Sequence, residues 1–269
     1  MAHRELWAVG PRRDEVASFD SGAEAVEALC VLQLAEGTRV ACGTSDGLIR
    51  LWDPTTGQET LVLGEQPSPV HALSALPVDG ETVLAAGGPG AAVQLWNPRT
   101  GELLRTLSGH SGQLVNGLCP VPFDGLVLLA SGGDDGTVRL WDPSTGRLLH
   151  SLAAHTQPYE GTYPVRGLCA FTFGDRTVLA GGGDDGTIRL WDTATGTLLD
   201  ELVGRPDPYR KSGAFPHPLK TAVKGHTGPV YALCALSIAG RTVLASGATR
   251  PCCGTRPPVD CCSRSTARG

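Results

Sequence analysis

Residues 131–146 read SGGDDGTVRLWDPSTG, and residues 181–196 read GGGDDGTIRLWDTATG. The two stretches are identical at 12 of 16 positions. The same frame surrounds Trp52 and Trp96, so the four tryptophans of this frame follow one another at intervals of 44, 45 and 50 residues. The chain is therefore organised by an internal repeat, and a period near 45 residues is typical of folds that are built from repeated small sheets.

Each repeat has the pattern of four short β-strands. Strands are expected in the fourth repeat over residues 165–171, 177–180, 187–192 and 197–202. The second and third of these strands are joined by Asp185-Gly186, since glycine accepts the positive φ of a tight hairpin turn.

Alternation along the third strand predicts which side chains are buried. Ile188 and Leu190 should point inward, and Arg189 should point outward. Arg50 and Arg139 recur at the place of Arg189, which favours either a solvated position or packing between repeats. One repeat buries too little apolar surface to be stable alone, so neighbouring repeats must stack face to face.

A Gly-His pair before the first strand and a Trp-Asp pair at the end of the third resemble the WD40-repeat β-propeller family. The resemblance covers about residues 26–247 and implies an all-β propeller of four-stranded blades. Four full repeats and a truncated fifth fall short of the seven blades that are typical of the family. We therefore expect an incomplete propeller of about five blades.

The family also implies a hydrogen-bonded chain of Asp, His, Ser or Thr, and Trp in each blade. The third repeat has all four residues, and the other repeats have only some of them. The expected members are His110, Ser131, Asp135 and Trp141, then His155, Asp185 and Trp191 in the fourth repeat, Asp46 and Trp52 in the first, and Trp96 in the second. Ser, His and Asp are also the residues of a hydrolase triad. Their recurrence at equivalent places favours a structural role, because such a chain satisfies buried polar groups.

Composition limits the possible partners and location. The net charge is −5, which gives no electrostatic support for nucleic-acid binding. The first ten residues carry charges where a signal peptide needs an apolar core, and no apolar run reaches 18 residues. We expect a soluble cytoplasmic protein with no membrane partner, no cofactor and no metal.

Nine cysteines form two groups. Cys30, Cys119, Cys169 and Cys234 each follow a leucine at one place of successive repeats, and Cys42 stands where the third repeat has Ser131. These five are expected to be buried core thiols rather than disulfide or metal ligands. The other four are Cys252, Cys253, Cys261 and Cys262.

These last four cysteines lie where the repeat pattern ends, after Gly247. In an alternate reading frame, each codon consists of the third base of one printed codon and the first two bases of the next. This frame encodes leucine, whatever synonymous codons are used, at Cys252-Cys253, at Asp260-Cys261 and at Cys261-Cys262. The spacing of these leucines, 8 and 9 residues, equals that of Leu140, Leu148 and Leu149. We interpret the segment as a frameshifted reading of a fifth repeat.

Three parts of the chain follow from this interpretation. Residues 1–25 form an arm or a partial blade, residues 26–247 form the blades, and residues 248–269 form an aberrant tail. The N-terminal part loosely resembles the last two strands of a blade, and an arm without fixed structure is the alternative.

The leading functional expectation is a non-enzymatic scaffold for protein–protein interactions, with a protein or peptide partner. No nucleotide-binding, zinc-protease or kinase motif is present in the sequence. Two insertions between repeats carry candidate binding residues, which are Tyr159, Tyr163, Tyr209, Arg210 and Phe215. Mobile insertions without a partner are the alternative. The chain could also be the propeller part of a larger signalling or regulatory protein, and open blade edges could support self-association.

Overall fold

The structure is a computed structural model. It describes residues 5–9, 16–20, 25–64, 68–154, 156–157, 161–202, 226, 228–238 and 241–248. Four antiparallel sheets of four strands follow one another along this part of the chain. We call them blades 1 to 4. Their strands pair in chain order, so that each blade is a meander.

Each blade contains one repeat. Blade 1 contains β3 (Val26–Leu34), β4 (Gly37–Thr44), β5 (Ile49–Asp53) and β6 (Gln58–Leu63). Blade 2 contains β7 (Ala72–Val78), β8 (Glu81–Gly87), β9 (Ala92–Trp96) and β10 (Leu103–Ser108). Blade 3 contains β11 (Val115–Phe123), β12 (Leu126–Gly133), β13 (Thr137–Asp142) and β14 (Arg147–Ala153). Blade 4 contains β17 (Val165–Phe173), β18 (Arg176–Gly183), β19 (Ile188–Asp192) and β20 (Leu198–Leu202).

Three two-stranded pairs complete the described elements. They are β1 (Glu5–Val9) with β2 (Val16–Asp20), β15 (Thr156–Gln157) with β16 (Gly161–Thr162), and β21 (Val230–Ile238) with β22 (Arg241–Ala248). The last pair matches the first two strands of a fifth repeat, and we call it the fifth pair. The expected all-β class with four-stranded blades is therefore confirmed.

The second strand of blade 4 is longer than the pattern predicted. It continues through Gly181, Gly182 and Gly183, because their backbone still pairs with β17. Glycine usually weakens a strand, so these residues were expected to lie outside it. The expected tail begins at residue 248, but Ala248 is the last residue of β22, and residues 249–269 lie outside the described residues.

The cores of the molecule lie between the blades. One side of blade 3 packs Trp141 and Leu129 against Leu95 and Leu107 of blade 2. Its other side packs Leu140 against Trp191 of blade 4, with Val138 in the same core. Blades 1 and 2 share a similar core, as do blade 4 and the fifth pair. Burial on both faces explains why the middle strands have continuous apolar runs rather than strict alternation.

The first strands of the blades are the innermost. β3 contacts β7, β7 contacts β11, β11 contacts β17, and β17 contacts β21. The last strands are mostly exposed, as the pattern of β14 illustrates. Side chains at one place of successive first strands are thus brought into one continuous line.

Only some of the cysteines are buried as the sequence suggested. Cys42, Cys119 and Cys169 are buried, and Cys30 is half-buried. Cys234 is exposed, so its assignment to the core is wrong. It lies on β21, which packs against blade 4 through Leu233 and Ala235, on alternate positions of the strand. All five are free thiols. No helix in the described part of the chain has the length and apolar character needed to cross a membrane.

Candidate functional site

The expected hydrogen-bonded chain is assembled in blade 3. His110 precedes β11, Ser131 lies on β12, Asp135 lies in the following turn and Trp141 lies on β13. His110 Nε2 is 2.8 Å from Ser131 Oγ, and Trp141 Nε1 is 2.9 Å from the same oxygen. His110 Nδ1 is 3.0 Å from Asp135 Oδ1. The four side chains therefore form one continuous network through the blade.

One tautomer of His110 satisfies every group in this network. Trp141 Nε1–H donates to Ser131 Oγ, Ser131 O–H donates to His110 Nε2, and His110 Nδ1–H donates to Asp135. This tautomer is neutral. Burial lowers the pKa of His110, although the neighbouring Asp135 carboxylate opposes the shift. The neutral ring is therefore the form that the folded blade favours.

Asp135 is held as a carboxylate by several donors. Burial alone would raise its pKa, but the backbone N–H of Ser111, the Thr137 hydroxyl and His110 outweigh it and lower the pKa to about 2. The Ser111 N–H lies 2.9 Å from Oδ2, and Thr137 Oγ1 lies 2.7 Å from Oδ1. These bonds use the carboxylate to tie the loop before β11 to the turn before β13.

This geometry supports a structural role rather than a hydrolase triad. Ser131 is completely buried, and its hydroxyl lies between His110 and Trp141. A nucleophile must reach a substrate, whereas Ser131 is enclosed by the core between the blades.

The other repeats hold their network residues differently. In blade 4, Asp185 accepts from Thr187 and Arg189, Trp191 is buried, and Gly181 stands at the place of Ser131. His155 lies outside the described residues.

Blade 1 also lacks the serine of the network. There Asp46 accepts from Thr44 and from Arg50. Cys42 stands in place of the serine, where burial raises the pKa of its thiol while a hydrogen bond with Trp52 opposes the rise. In blade 2, Trp96 is buried, and no described residue accepts a hydrogen bond from its Nε1.

The third-strand arginines are not solvated. The side chains of Arg50, Arg139 and Arg189 are only 17%, 13% and 9% exposed. Of the two expectations for this position, the solvated one is wrong for Arg189, because it is buried and pairs with Asp185 and Glu201 at 2.9 and 2.7 Å. Both of these partners lie in blade 4 itself.

A second set of polar residues was missed by the sequence reasoning. Each member directly follows a valine and lies at or next to the start of an innermost strand. The valines are residues 26, 70, 115, 165 and 230. We call this set the inner row, and its members are Glu27, His71, Asn116, Arg166 and Tyr231. The signal was available in the sequence: the valine recurs while the next residue changes in every repeat.

Contacts link members of the inner row across the blades. His71 Nδ1 lies 3.8 Å from Glu27 Oε2. Arg166 Nη1 donates to Asn116 Oδ1 at 3.3 Å, and its guanidinium lies 6.0 Å from the centre of the Tyr231 ring. All five side chains are half-buried or exposed.

Aspartates of the second turns fix two members of the row. Asp184 accepts from Arg166 Nε and Nη2 at 3.0 and 2.9 Å, and this pairing raises the pKa of Arg166. Asp134 accepts from Asn116 Nδ2 at 2.7 Å. The row is therefore a partly exposed surface whose central side chains already have fixed positions.

The candidate residues of the insertions are mostly outside the described residues. This applies to Tyr159, Tyr209, Arg210 and Phe215. Tyr163 is described and is half-buried, two residues before β17. The described residues contain no cluster of three or more His, Cys, Asp or Glu side chains that could hold a metal ion.

Comparison with known proteins agrees with this architecture. The family model described as "WD domain, G-beta repeat" matches residues 15–53, 101–142 and 146–192. The chain therefore contains WD repeats at these three places, as the repeat pattern predicted. The search of curated proteins finds no match.

Two solved structures illustrate the likeness. One is described as "Crystal Structure of Mitotic Checkpoint Complex", with 24% identity and a TM-score of 0.60 over 74% of this chain and 60% of that chain. The other is described as "Crystal structure of RRP9 WD40 repeats", with 24% identity and a TM-score of 0.53 over 65% of this chain and 50% of that chain. At this identity the likeness establishes the fold. The chain spans 60% and 50% of the lengths of these two chains.

Proposed function

We propose that the protein is a non-enzymatic scaffold that binds a protein or peptide through the inner row. The observation that carries the proposal is the contact of Arg166 with Asn116, Asp184 and Tyr231. Arginine and tyrosine are the residue types that most often anchor protein interfaces. Function in repeat folds depends on such variable surface positions rather than on the fold itself.

The arrangement of Arg166 suits binding. Its guanidinium is oriented by Asp184, so little side-chain entropy is lost when a partner binds. Tyr231 is 49% exposed beside it and offers a rigid aromatic surface. At the other end of the row, Glu27 and His71 provide an acceptor and a polar ring. A peptide that lies along the row would meet different chemistry at each blade, which is a basis for specificity.

A comparison of captured partners tests this function. The full chain would be fused to a biotin ligase, and proteins labelled by the wild type would be compared with those labelled by a double variant, Arg166→Ala with Tyr231→Ala. The matched control changes Arg147 and Leu148 to alanine on the exposed outer strand β14. We expect one set of proteins to be lost with the inner-row variant and kept with the control. An identical set for all three proteins contradicts the proposal, provided that their circular dichroism spectra agree.

Self-association is a second candidate function, and exposed apolar residues of blade 1 favour it. Leu29 and Val31 are 55% and 57% exposed on β3. Apolar side chains on an unpartnered sheet face are a typical site of association. Sedimentation of the wild type should then show dimers that Val31→Arg abolishes, whereas a monomeric wild type excludes this candidate. The cytoplasmic location stays a prediction from the sequence.

A further inference from the structure

Blade 1 exposes the kind of surface that every later repeat buries. In each repeat a leucine lies three residues after the valine at or near the start of the innermost strand. In four repeats this leucine is buried or half-buried in the core shared with the preceding blade, and these residues are Leu73, Leu118, Leu168 and Leu233. The equivalent residue of blade 1 is Leu29, which is 55% exposed. Val31, two residues further along β3, is also exposed. We call Val26, Leu29 and Val31 the front face.

The fifth pair exposes the opposite kind of surface, the one with which a blade packs against its successor. Leu236 is 47% exposed, whereas its equivalents in blades 1 to 4 are buried in the cores shared with the following blade, and they are Leu32, Leu76, Val121 and Phe171. Ala245 is exposed, whereas the equivalent alanines are completely buried, at positions 41, 85, 130 and 180. Val243 is exposed beside them. We call Leu236, Val243, Ala245 and Gly247 the rear face.

The two faces carry the two halves of a close contact between neighbouring blades. Gly182 of blade 4 fits against Val230, and a Cβ on this glycine would lie 2.6 Å from Val230 Cγ1. The rear face has the equivalent glycine, Gly247, where a Cβ would meet Ala232 alone among the described residues, at 3.8 Å. The front face has the equivalent valine, Val26, which is half-buried although the other four valines of the series are buried. Each face therefore lacks the half that the other supplies.

This match identifies the occupant of both faces. Apolar side chains exposed together are typical of an interaction site. Leu29 and Leu236 are both exposed in one molecule, so its own two faces do not cover each other. Four contacts within the chain already join a rear-type surface to a front-type surface, with apolar side chains on both sides. The surface that fits the rear face of one molecule is therefore the front face of another.

We propose that the front face of one chain docks on the rear face of a second copy. This inference rests on the self-association proposed above and specifies its geometry. The contact joins two different surfaces, so copies add head to tail, into a closed ring or an open series. The inner rows of successive copies would then be continuous, because the row begins at Glu27 on blade 1 and ends at Tyr231 on the fifth pair.

Two variants that each block one face provide the test. Leu29→Arg blocks the front face, and Leu236→Arg blocks the rear face. Either variant alone should associate at least roughly tenfold more weakly than the wild type, because the contact would bury an unpaired guanidinium. An equimolar mixture keeps one intact front face and one intact rear face, so it should form a one-to-one dimer and nothing larger. Leu198→Arg is the matched control, at a leucine 50% exposed on the outer strand β20, and it should associate as the wild type does.

Sedimentation velocity over a range of concentrations measures the assemblies. Native mass spectrometry with one variant ¹⁵N-labelled identifies the mixed dimer, and circular dichroism shows that each variant is folded. If Leu236→Arg associates like the wild type while Leu29→Arg does not, two front faces meet each other, which overturns this inference and leaves self-association standing. A mixture of folded variants that stays monomeric, beside a wild type that associates, also overturns it. A monomeric wild type overturns both the inference and the self-association.

Discussion

Gly132 of blade 3 faces Val165 of blade 4 so closely that no side chain fits between them. A Cβ atom on Gly132 would lie 2.7 Å from Val165 Cγ1. The same relationship joins each blade to the next, through the pairs Gly43 with Val70, Gly87 with Val115, and Gly182 with Val230. The distance between neighbouring blades is therefore limited by a glycine on one second strand and the valine that the next repeat supplies.

Gly132→Ala should destabilise the protein by about 1–3 kcal/mol, the usual cost of overpacking a core. The added methyl group would force blade 4 away from blade 3. Gly247 of the fifth pair is the matched control, because it occupies the equivalent position and, among the described residues, a Cβ there would meet Ala232 alone, at 3.8 Å. Gly247→Ala should therefore change stability by less than about 0.5 kcal/mol. Chemical denaturation measures both variants, and equal effects would contradict this account of the blade spacing.

Ser131→Ala should reduce the free energy of unfolding by about 1–3 kcal/mol. The substitution removes the only oxygen that links His110 to Trp141, and it leaves a buried indole N–H without an acceptor. Ser151→Ala is the control, because Ser151 is exposed on β14 of the same blade. Urea unfolding curves should separate the two variants. A Ser131→Ala protein as stable as the control would show that the network does not stabilise the blade.

The free energy of unfolding should decrease as the pH falls below 6.5. Burial lowers the pKa of His110 from this usual value, so the unfolded chain takes up a proton that the folded blade resists. Protonation would add a hydrogen to His110 Nε2, which could then no longer accept the hydrogen bond of the Ser131 hydroxyl. Asp135, with a pKa of about 2, adds a separate loss of stability only between pH 3.8 and about 2.

His110→Gln isolates this effect. Between about pH 7 and pH 5 the stability of the variant should depend less on pH than that of the wild type. Burial also lowers the pKa of His226. Its titration therefore contributes the same pH dependence of stability to the wild type and to the variant. Equal slopes in the two proteins would show that His110 titrates alike in the folded and unfolded states.

Sequence predicted those features that depend on one repeat alone. The blades, the Asp-Gly turns and the four members of the blade 3 network follow from residues that lie close together in each repeat. Features that depend on the contact between two repeats were left open or missed. The sequence left Arg189 open between a solvated position and packing between repeats, and the structure shows that it is buried. Cys234 is exposed because its face of β21 lies away from blade 4.

The inner row was missed for the same reason. The row becomes visible only when the first strands of several blades are aligned in space.

Cysteine labelling tests the burial pattern across the blades. Burial raises the pKa of Cys119 to about 11 and that of Cys169 to about 12, whereas Cys234 is exposed. The thiolate is the reactive form, so buried thiols with a raised pKa react slowly. Iodoacetamide should therefore modify Cys234 at least roughly ten times faster than Cys119 or Cys169 in the folded protein. Mass spectrometry of the separate peptides gives each rate, and the same reaction in denaturant provides the control, in which the three rates should converge. Equal rates in the folded protein would mean that blades 3 and 4 open faster than the reagent reacts.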